Sequence, residues 1–175
     1  MEHFYQDIQG WFTYPDFYSE MVSRFPDGST FVEVGTWKGK SAAYMQVEIL
    51  NANKSIDFHV VDTWEINEET AFEPLLKTKD ALYNHFLDNI VSVRESIKIH
   101  RGCSRTVASE FQDGSLDFVF IDAAHDYKNV VADISAWLPK LKKTGIISGH
   151  DIHHQPIQQA ILDTIGEYSQ TYEDI

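Results

Sequence analysis

Thr30-Phe31-Val32-Glu33-Val34-Gly35-Thr36-Trp37-Lys38-Gly39-Lys40-Ser41 is the stretch whose reading decides the fold. Thr30 to Gly35 is a short, β-branched and apolar run, which reads as a first strand. Ser41 to Asn51 reads as a helix, with Ser41 able to cap it. The turn between them carries two glycines. A strand-to-helix turn aims backbone N–H groups and the positive end of a helix at whatever lies beyond, and glycine permits close approach. In a doubly wound sheet this turn borders the ligand crevice outside the carboxyl ends of the strands. Taken alone, the same residues equally describe a tight strand-to-helix turn with no ligand.

Working outward, short apolar runs alternate with helical patterns, the signature of βαβ units and a parallel sheet. Ile56 to Asp62 is the second strand, Ile97 to His100 the third, Leu116 to Asp122 the fourth and Gly145 to Gly149 the fifth. Lys79 to Glu95 carries Leu82, Phe86, Ile90 and Val93 at helical spacing. Tyr127, Val130, Val131, Ile134 and Leu138 mark a further helix ending near Pro139, and Pro156 opens a last one with Ile157, Ala160, Ile161 and Ile165 inward. The fold expected is α/β: a Rossmann-like, doubly wound, mainly parallel sheet in a three-layer α/β/α sandwich. Residues 1–175 form one domain. Residues 1–28 are crowded with aromatics (Phe4, Tyr5, Trp11, Phe12, Tyr14, Phe17, Tyr18) and read either as a helical segment packed on the sheet or as a lid over a ligand.

Composition narrows the functions open to such a fold. The formal net charge of −13, from 27 acidic and 14 basic residues, repels phosphate backbones and anionic membrane surfaces, so neither nucleic acid nor membrane is an expected partner. No run of about 18 apolar residues suggests a membrane span. The N-terminus MEHFYQDIQG lacks the basic and apolar regions of a signal peptide. The single cysteine, Cys103, excludes an intrachain disulfide and fits a reducing, cytoplasmic setting.

Asp62 ends the second strand, where a carboxylate can accept both hydroxyl hydrogens of a ribose. NAD-binding folds and folds that bind S-adenosylmethionine (SAM) share this device. The missing G-x-G-x-x-G argues against NAD, because Trp37 and Lys38 fill the middle of a turn that a pyrophosphate would need open. Two further loops end on the same edge: Ile121-Asp122-Ala123-Ala124-His125-Asp126-Tyr127 and Ser148-Gly149-His150-Asp151-Ile152-His153-His154. With strand order 3-2-1-4-5, Asp122 and Asp151 come close, and carboxylates gathered there repel unless a cation lies between them. Asp126 reads as a cap for the following helix, and His153 and His154 as exposed residues before the last one.

The segment Glu33 to Ser41 resembles the first motif of class I SAM-dependent methyltransferases, in the branch of catechol O-methyltransferases and related sugar and antibiotic O-methyltransferases. The resemblance runs from about Phe31 to Ile165. It implies SAM as cofactor, with Glu33, Gly35, Thr36 and Trp37 at the methionine end, Ser41 on its carboxylate, Asp62 on the ribose with Thr63 and Trp64 beside it, Cys103 and Ser104 near adenine, and Asp122 also at the cofactor. It implies a divalent metal, Mg²⁺ or Mn²⁺, on Asp122, His150 and Asp151, and His125 as general base. Where this branch usually has a carboxylate or amide, this chain has His150, which suits Mn, Fe or Zn better than Mg; either the metal differs or His150 points away. The family's closing hairpin of strands six and seven is expected to be short or missing here: either the fold is minimal, or the edge of strand five is covered by a partner such as a second copy in a homodimer.

The implied reaction is O-methylation of a small hydroxylated substrate. Two adjacent hydroxyls chelate a metal best, so a sugar diol or a catechol is the natural class. A metal acidifies the hydroxyl, and an imidazole, with an ordinary pKa of about 6.5, suits taking its proton. Methylation of base amino groups is a poorer fit, since Ile-Asp-Ala-Ala-His stands where such enzymes carry Asn/Asp-Pro-Pro-aromatic. A catalytically silent SAM-binding or partner-binding module and an NAD-type dehydrogenase are the competing readings.

Overall fold

The computed structural model describes residues 1–65, 80–166, 168, 169 and 175. Five strands form one sheet: β1 (Thr30–Val34), β2 (Asp57–Asp62), β3 (Ile97–Arg101), β4 (Leu116–Ile121) and β5 (Leu141–Gly149). Their order is β3-β2-β1-β4-β5 and every pairing is parallel. Among the described residues six helices cover it: α1 (Pro15–Arg24), α2 (Lys40–Asn51), α3 (Ala81–Asn89), α4 (Ser104–Ala108), α5 (Tyr127–Trp137) and α6 (Gln155–Thr164). This is the three-layer, Rossmann-like architecture expected. Among the described residues no antiparallel hairpin follows β5, and no helix is long and apolar enough to cross a membrane.

Alternation along the strands makes two cores. Phe31, Phe58, Val60, Phe118 and Phe120 face α1, α2 and α3; Val32, Val34, Val61 and Val119 face the other side, where α4, α5 and α6 lie. On the first face the aromatic N-terminal segment packs as a layer. Phe17 and Tyr18 of α1 are buried, and Tyr18 meets Phe120 edge-on with ring centres 5.1 Å apart. The helical reading of this segment therefore describes α1.

Beyond one-residue shifts at strand ends, three features differ from the sequence reading. The helix expected over 79–95 is shorter: α3 ends at Asn89, and a 3-10 turn follows at Arg94–Ser96. Asn and β-branched Ile90, Val91 and Val93 are weak helix formers, yet Ile90 and Val93 stay buried; Lys79 lies outside the described residues. β5 starts four residues early, at Leu141. Its lysines hid it from a search for apolar runs, although Lys142 Nζ donates to Asp117 of β4 at 2.7 Å, and such charges are usual on an edge strand. At α2 the cap position is Gly39, in the left-handed conformation with φ of 84°. Ser41 does not cap the helix, because its hydroxyl is drawn to a buried carboxylate.

Candidate active site

Register brings four strand ends level. Val34 pairs with Val61 and with Ile121, and Ile121 pairs with Gly149. The residues that follow, Gly35, Asp62, Asp122 and His150, therefore form one row along the carboxyl edge. Gly35 has φ of 86°, and a Cβ there would lie 1.9 Å from the carbonyl oxygen of Asp122. The missing side chain lets the β1 turn seat against the Asp122 loop. This is a backbone contact, where the sequence suggested clearance for a ligand.

Glu33 faces the α1 and α2 side from within β1 and is buried. Its Oε1 accepts from Ser41 Oγ at 2.7 Å and Thr36 Oγ1 at 3.0 Å, and its Oε2 accepts from Tyr18 at 3.1 Å. Burial nevertheless raises its pKa to about 7 against the opposing pull of these three bonds. The single hydroxyl hydrogen of Ser41 is thus engaged by Glu33, so holding a ligand carboxylate would require it to change partner.

Asp62 locks the turn. Its Oδ2 accepts from the N–H groups of Thr36 and Trp37, both at 2.9 Å, and its Oδ1 from Trp64 N–H at 2.7 Å. A carboxylate offers about four acceptor positions, so room is left for roughly one ribose hydroxyl rather than two. Trp37 and Trp64 both take positive φ, 45° and 49°, and the Trp64 indole N–H donates to the Trp37 carbonyl at 2.9 Å. Trp64 is itself core, its ring packed at a tilt against Tyr83 and Phe86, so its backbone rather than its ring faces the crevice. Thr63 Oγ1 accepts from Glu65 N–H at 3.2 Å. Gly102 N–H donates to the Asp62 carbonyl at 2.9 Å, bringing Cys103 and Ser104 up beside Asp62. Cys103 is exposed. The Ser104 hydroxyl accepts from the Trp137 indole at 2.8 Å, a contact that ties it to α5.

The second cluster is assembled by the loops after β4 and β5. His125 Nε2 lies 2.8 Å from Asp151 Oδ2 and 3.9 Å from Asp122 Oδ1. His150 points inward: its Nδ1 lies 3.2 Å from Asp151 Oδ2 and 3.9 Å from Asp122 Oδ1. Asp122, His150 and Asp151 offer ligand atoms all within 4.8 Å of one another. Asp151 reaches this position with φ of 62°, a conformation Asp tolerates better than most residues. His153 and His154 are exposed as expected, and with Asp151 they make a second, more open group. Asp126 caps α5, its Oδ1 accepting from Asn129 N–H at 3.1 Å. A cavity of about 290 Å³ opens beside Asp122, His125 and His150 and runs between the sheet and helices α5 and α6.

The model of a family described as "Methyltransferase domain" matches residues 32–152, which hold β1 through β5 and the loops just described. This chain belongs to that methyltransferase family. Among solved structures, the O-methyltransferase NovP aligns with a TM-score of 0.65 at 15% identity, over 89% of this chain and 73% of that one. CalS11, a TDP-rhamnose 3′-O-methyltransferase of calicheamicin biosynthesis, aligns at 0.55 and 16%, over 87% and 68%. A Staphylococcus aureus protein described as a putative caffeoyl-CoA O-methyltransferase aligns at 0.58 and 16%, over 94% and 68%. At such identities the likeness is one of fold. The uncharacterized protein y4gI of Sinorhizobium fredii is 23% identical over 149 residues, covering 85% of this chain and 16% of its own length. The methyltransferase thus spans a small part of that relative.

Membership of this class I family makes SAM the cofactor of the crevice. Of the two carboxyls at the turn, Asp62 is partly exposed, whereas Glu33 is buried with both oxygens already bonded. Two residues of the methyltransferase that sequence reasoning left unassigned also reach the site. Tyr14 is buried, donates to Asp122 Oδ2 at 3.1 Å, and lies with its ring centre 5.0 Å from that of His150. Tyr18 donates to Glu33. Burial and the neighbouring carboxylates hold both phenols well above their ordinary pKa, so both stay donors. The only trace in the sequence is the density of aromatics before residue 28, which carries no information about their hydroxyl partners.

Proposed function

We propose that this methyltransferase transfers the SAM methyl group to a hydroxyl of a small substrate with adjacent oxygens, a sugar diol or a catechol-like diol, with a divalent metal assisting. The observation that carries this reading is the convergence of His125, Asp122, His150 and Asp151 at the carboxyl edge beside the cofactor turn. The donor set fits a cation. Two carboxylates share a small space with an imidazole nitrogen directed at both. The other nitrogen of His150, Nε2, is buried without a hydrogen-bond partner among the described residues. Asp122, His150 and Asp151 would hold Mg²⁺ or Mn²⁺, with the imidazole favouring Mn²⁺. Bound there, the cation would lower the pKa of a coordinated hydroxyl.

The remaining work falls to the protein. In the resting site Asp151 Oδ2 accepts from His125 Nε2–H at 2.8 Å, which fixes the ring. With its proton on Nδ1 and the ring turned from Asp151 to a substrate hydroxyl, Nε2 presents a lone pair that can take the hydroxyl proton as the oxygen–methyl bond forms and the methyl–sulfur bond breaks, leaving S-adenosylhomocysteine. Tyr14 steadies Asp122 from below. Alignment of oxygen and methyl supplies the largest part, since holding two reactants in register contributes roughly 7–11 kcal/mol.

The test is methyl transfer to catechol and to a sugar vicinal diol, before and after chelation. Activity should fall with chelator and return with Mn²⁺ or Mg²⁺. His125→Ala should lower kcat by about 10²–10⁴-fold, the usual contribution of a general base, and leave SAM affinity intact. Chelator-insensitive turnover by an active His125→Ala enzyme would refute both assignments.

A further inference from the structure

The loop between β5 and α6 carries more metal-binding side chains than the cluster beside the cofactor turn uses. Asp151, His153 and His154 offer ligand atoms all within 4.8 Å of one another. Their backbone is tied down. The Asp151 carbonyl accepts from His154 N–H at 2.9 Å and closes a turn, as in a hydrogen-bonded β-turn. Ile152 is buried and anchors the turn from the inside. The His154 carbonyl accepts from the N–H groups of Ile157 and Gln158 at 3.0 and 3.1 Å, which seats the turn on α6. Both imidazoles stay at the surface, with ring centres 4.3 Å apart. The two oxygens of Asp151 divide their attention. Oδ2 faces His125 and His150, at 2.8 and 3.2 Å. Oδ1 faces His154 Nε2 at 3.9 Å.

From this we propose that the loop holds a second divalent cation of the zinc class, on Asp151 Oδ1, His153 and His154, and that Asp151 bridges it to the inner one. The outer site stands on its own three ligands; the bridge rests on the metal site of the proposed function. Two imidazoles and one carboxylate are a donor set for Zn²⁺, whereas Mg²⁺ prefers oxygen and keeps its waters. Ligand atoms of a tetrahedral zinc lie about 3.3–3.5 Å apart, so the gap between Asp151 and His154 has only about half an ångström to close. The solvent-facing fourth position is left for water. Two-metal sites set their ions about 3.5–4 Å apart, a span that the two oxygens of one carboxylate can bridge. The positive end of α6 opposes a cation here, a small effect that the full charge of Asp151 outweighs.

The experiment counts cations on the full, untagged, metal-stripped chain. The probes are Zn²⁺, Co²⁺ and Mg²⁺, read by equilibrium dialysis with elemental analysis and by the visible absorption of bound Co²⁺. The wild type should take up two equivalents of Zn²⁺, while Mg²⁺ should fill only the inner site. His153→Ala and His154→Ala should each lose one equivalent of Zn²⁺, with the Co²⁺ absorption that belongs to it, and keep their affinity for SAM. Asp122→Asn should lose the inner equivalent and retain the outer. Asp151→Asn, whose side chain tolerates the same positive φ, should weaken both. Zinc uptake that is identical in the wild type and both histidine variants overturns the outer site. An Asp151→Asn chain that weakens a single equivalent overturns the bridge. A wild type that binds one equivalent separates the two readings. Lost in Asp122→Asn and kept in His154→Ala, it overturns this inference and leaves the proposed function standing. Lost in His154→Ala and kept in Asp122→Asn, it supports the outer site and removes the metal from the proposed function. Circular dichroism of each stripped variant separates loss of a ligand from loss of the fold; should one histidine variant not fold, the other decides.

Discussion

Replacing Glu33 with glutamine should make the protein more stable in mild alkali and leave it little changed in mild acid. The folded carboxyl has its pKa raised from 4.5 to about 7, chiefly by burial. It binds its proton more tightly than the unfolded chain does, so its contribution to stability is fully present below about pH 4.5 and is lost as pH rises through about 7. At 1.36 kcal/mol per unit, the shift amounts to roughly 3 kcal/mol. Glutamine keeps an acceptor for Ser41 and Thr36 and offers an N–H to Tyr18, but it carries no charge to desolvate. Urea unfolding of both proteins at about pH 5 and about pH 8.5 measures the difference in a way that cancels every other titrating group. The variant should match the wild type within about 1 kcal/mol, the net worth of one hydrogen bond, at the lower pH, and exceed it by about 2–3 kcal/mol at the higher. A difference between the two proteins that is the same at both pH values would refute the reasoning, since it would mean that Glu33 does not titrate between them. Calorimetry adds an independent arm. A ligand carrying an ammonium and a sulfonium favours the ionised carboxyl, so SAM affinity should rise with pH through about 7 in the wild type and stay flat in the variant.

Gly35→Ala should destabilise the fold by about 2–5 kcal/mol, combining the left-handed backbone penalty with a forced shift of the Asp122 loop; a thermal midpoint unchanged from wild type would show that the two loops are not seated on each other. Asp62→Ala should weaken SAM binding and also cost about 1–3 kcal/mol of stability, because three backbone N–H groups lose their acceptor; unfolding and calorimetry report the two effects separately, and a loss of affinity with full stability would show that those bonds are not made.

The sheet was readable because each strand advertises itself. Phe31, Val32 and Val34, or Phe118, Val119 and Phe120, are apolar, β-branched or aromatic, and bounded by turn residues, and strand order follows from the handedness and shortness of βαβ connections. Asp122, His125, His150 and Asp151 could be placed together because register alone levels the ends of parallel strands. What a single sequence could not convey was who bonds to whom. Ser41 looked like a helix cap and a ligand donor, yet it answers to Glu33, eight residues back. Tyr14 reaches Asp122 across 108 positions of sequence, and no local pattern encodes such a pairing. Asp62 read correctly as an acid at a strand end, but the three N–H groups that already occupy it come from the turn after β1 and the segment after β2, whose conformations, each with a tryptophan at positive φ, are set by packing. The aliphatic cavity escaped notice for the same reason: Ile134 and Ile161 mark the inward faces of two helices, and only their spacing in three dimensions leaves room between them.

The contact between Gly35 and the Asp122 carbonyl bears on how this scaffold can be re-engineered. Loops at the rim of an α/β sheet are commonly treated as interchangeable modules, one for the cofactor and another for the chemistry. Here the two are keyed together at a point where not even a methyl group fits, so neither can be exchanged alone. A graft that brings a new loop after β4 must present its backbone carbonyl at the same height, or bring its own β1 turn with it. The β1 turn and the loop after β4 are inherited as a single part.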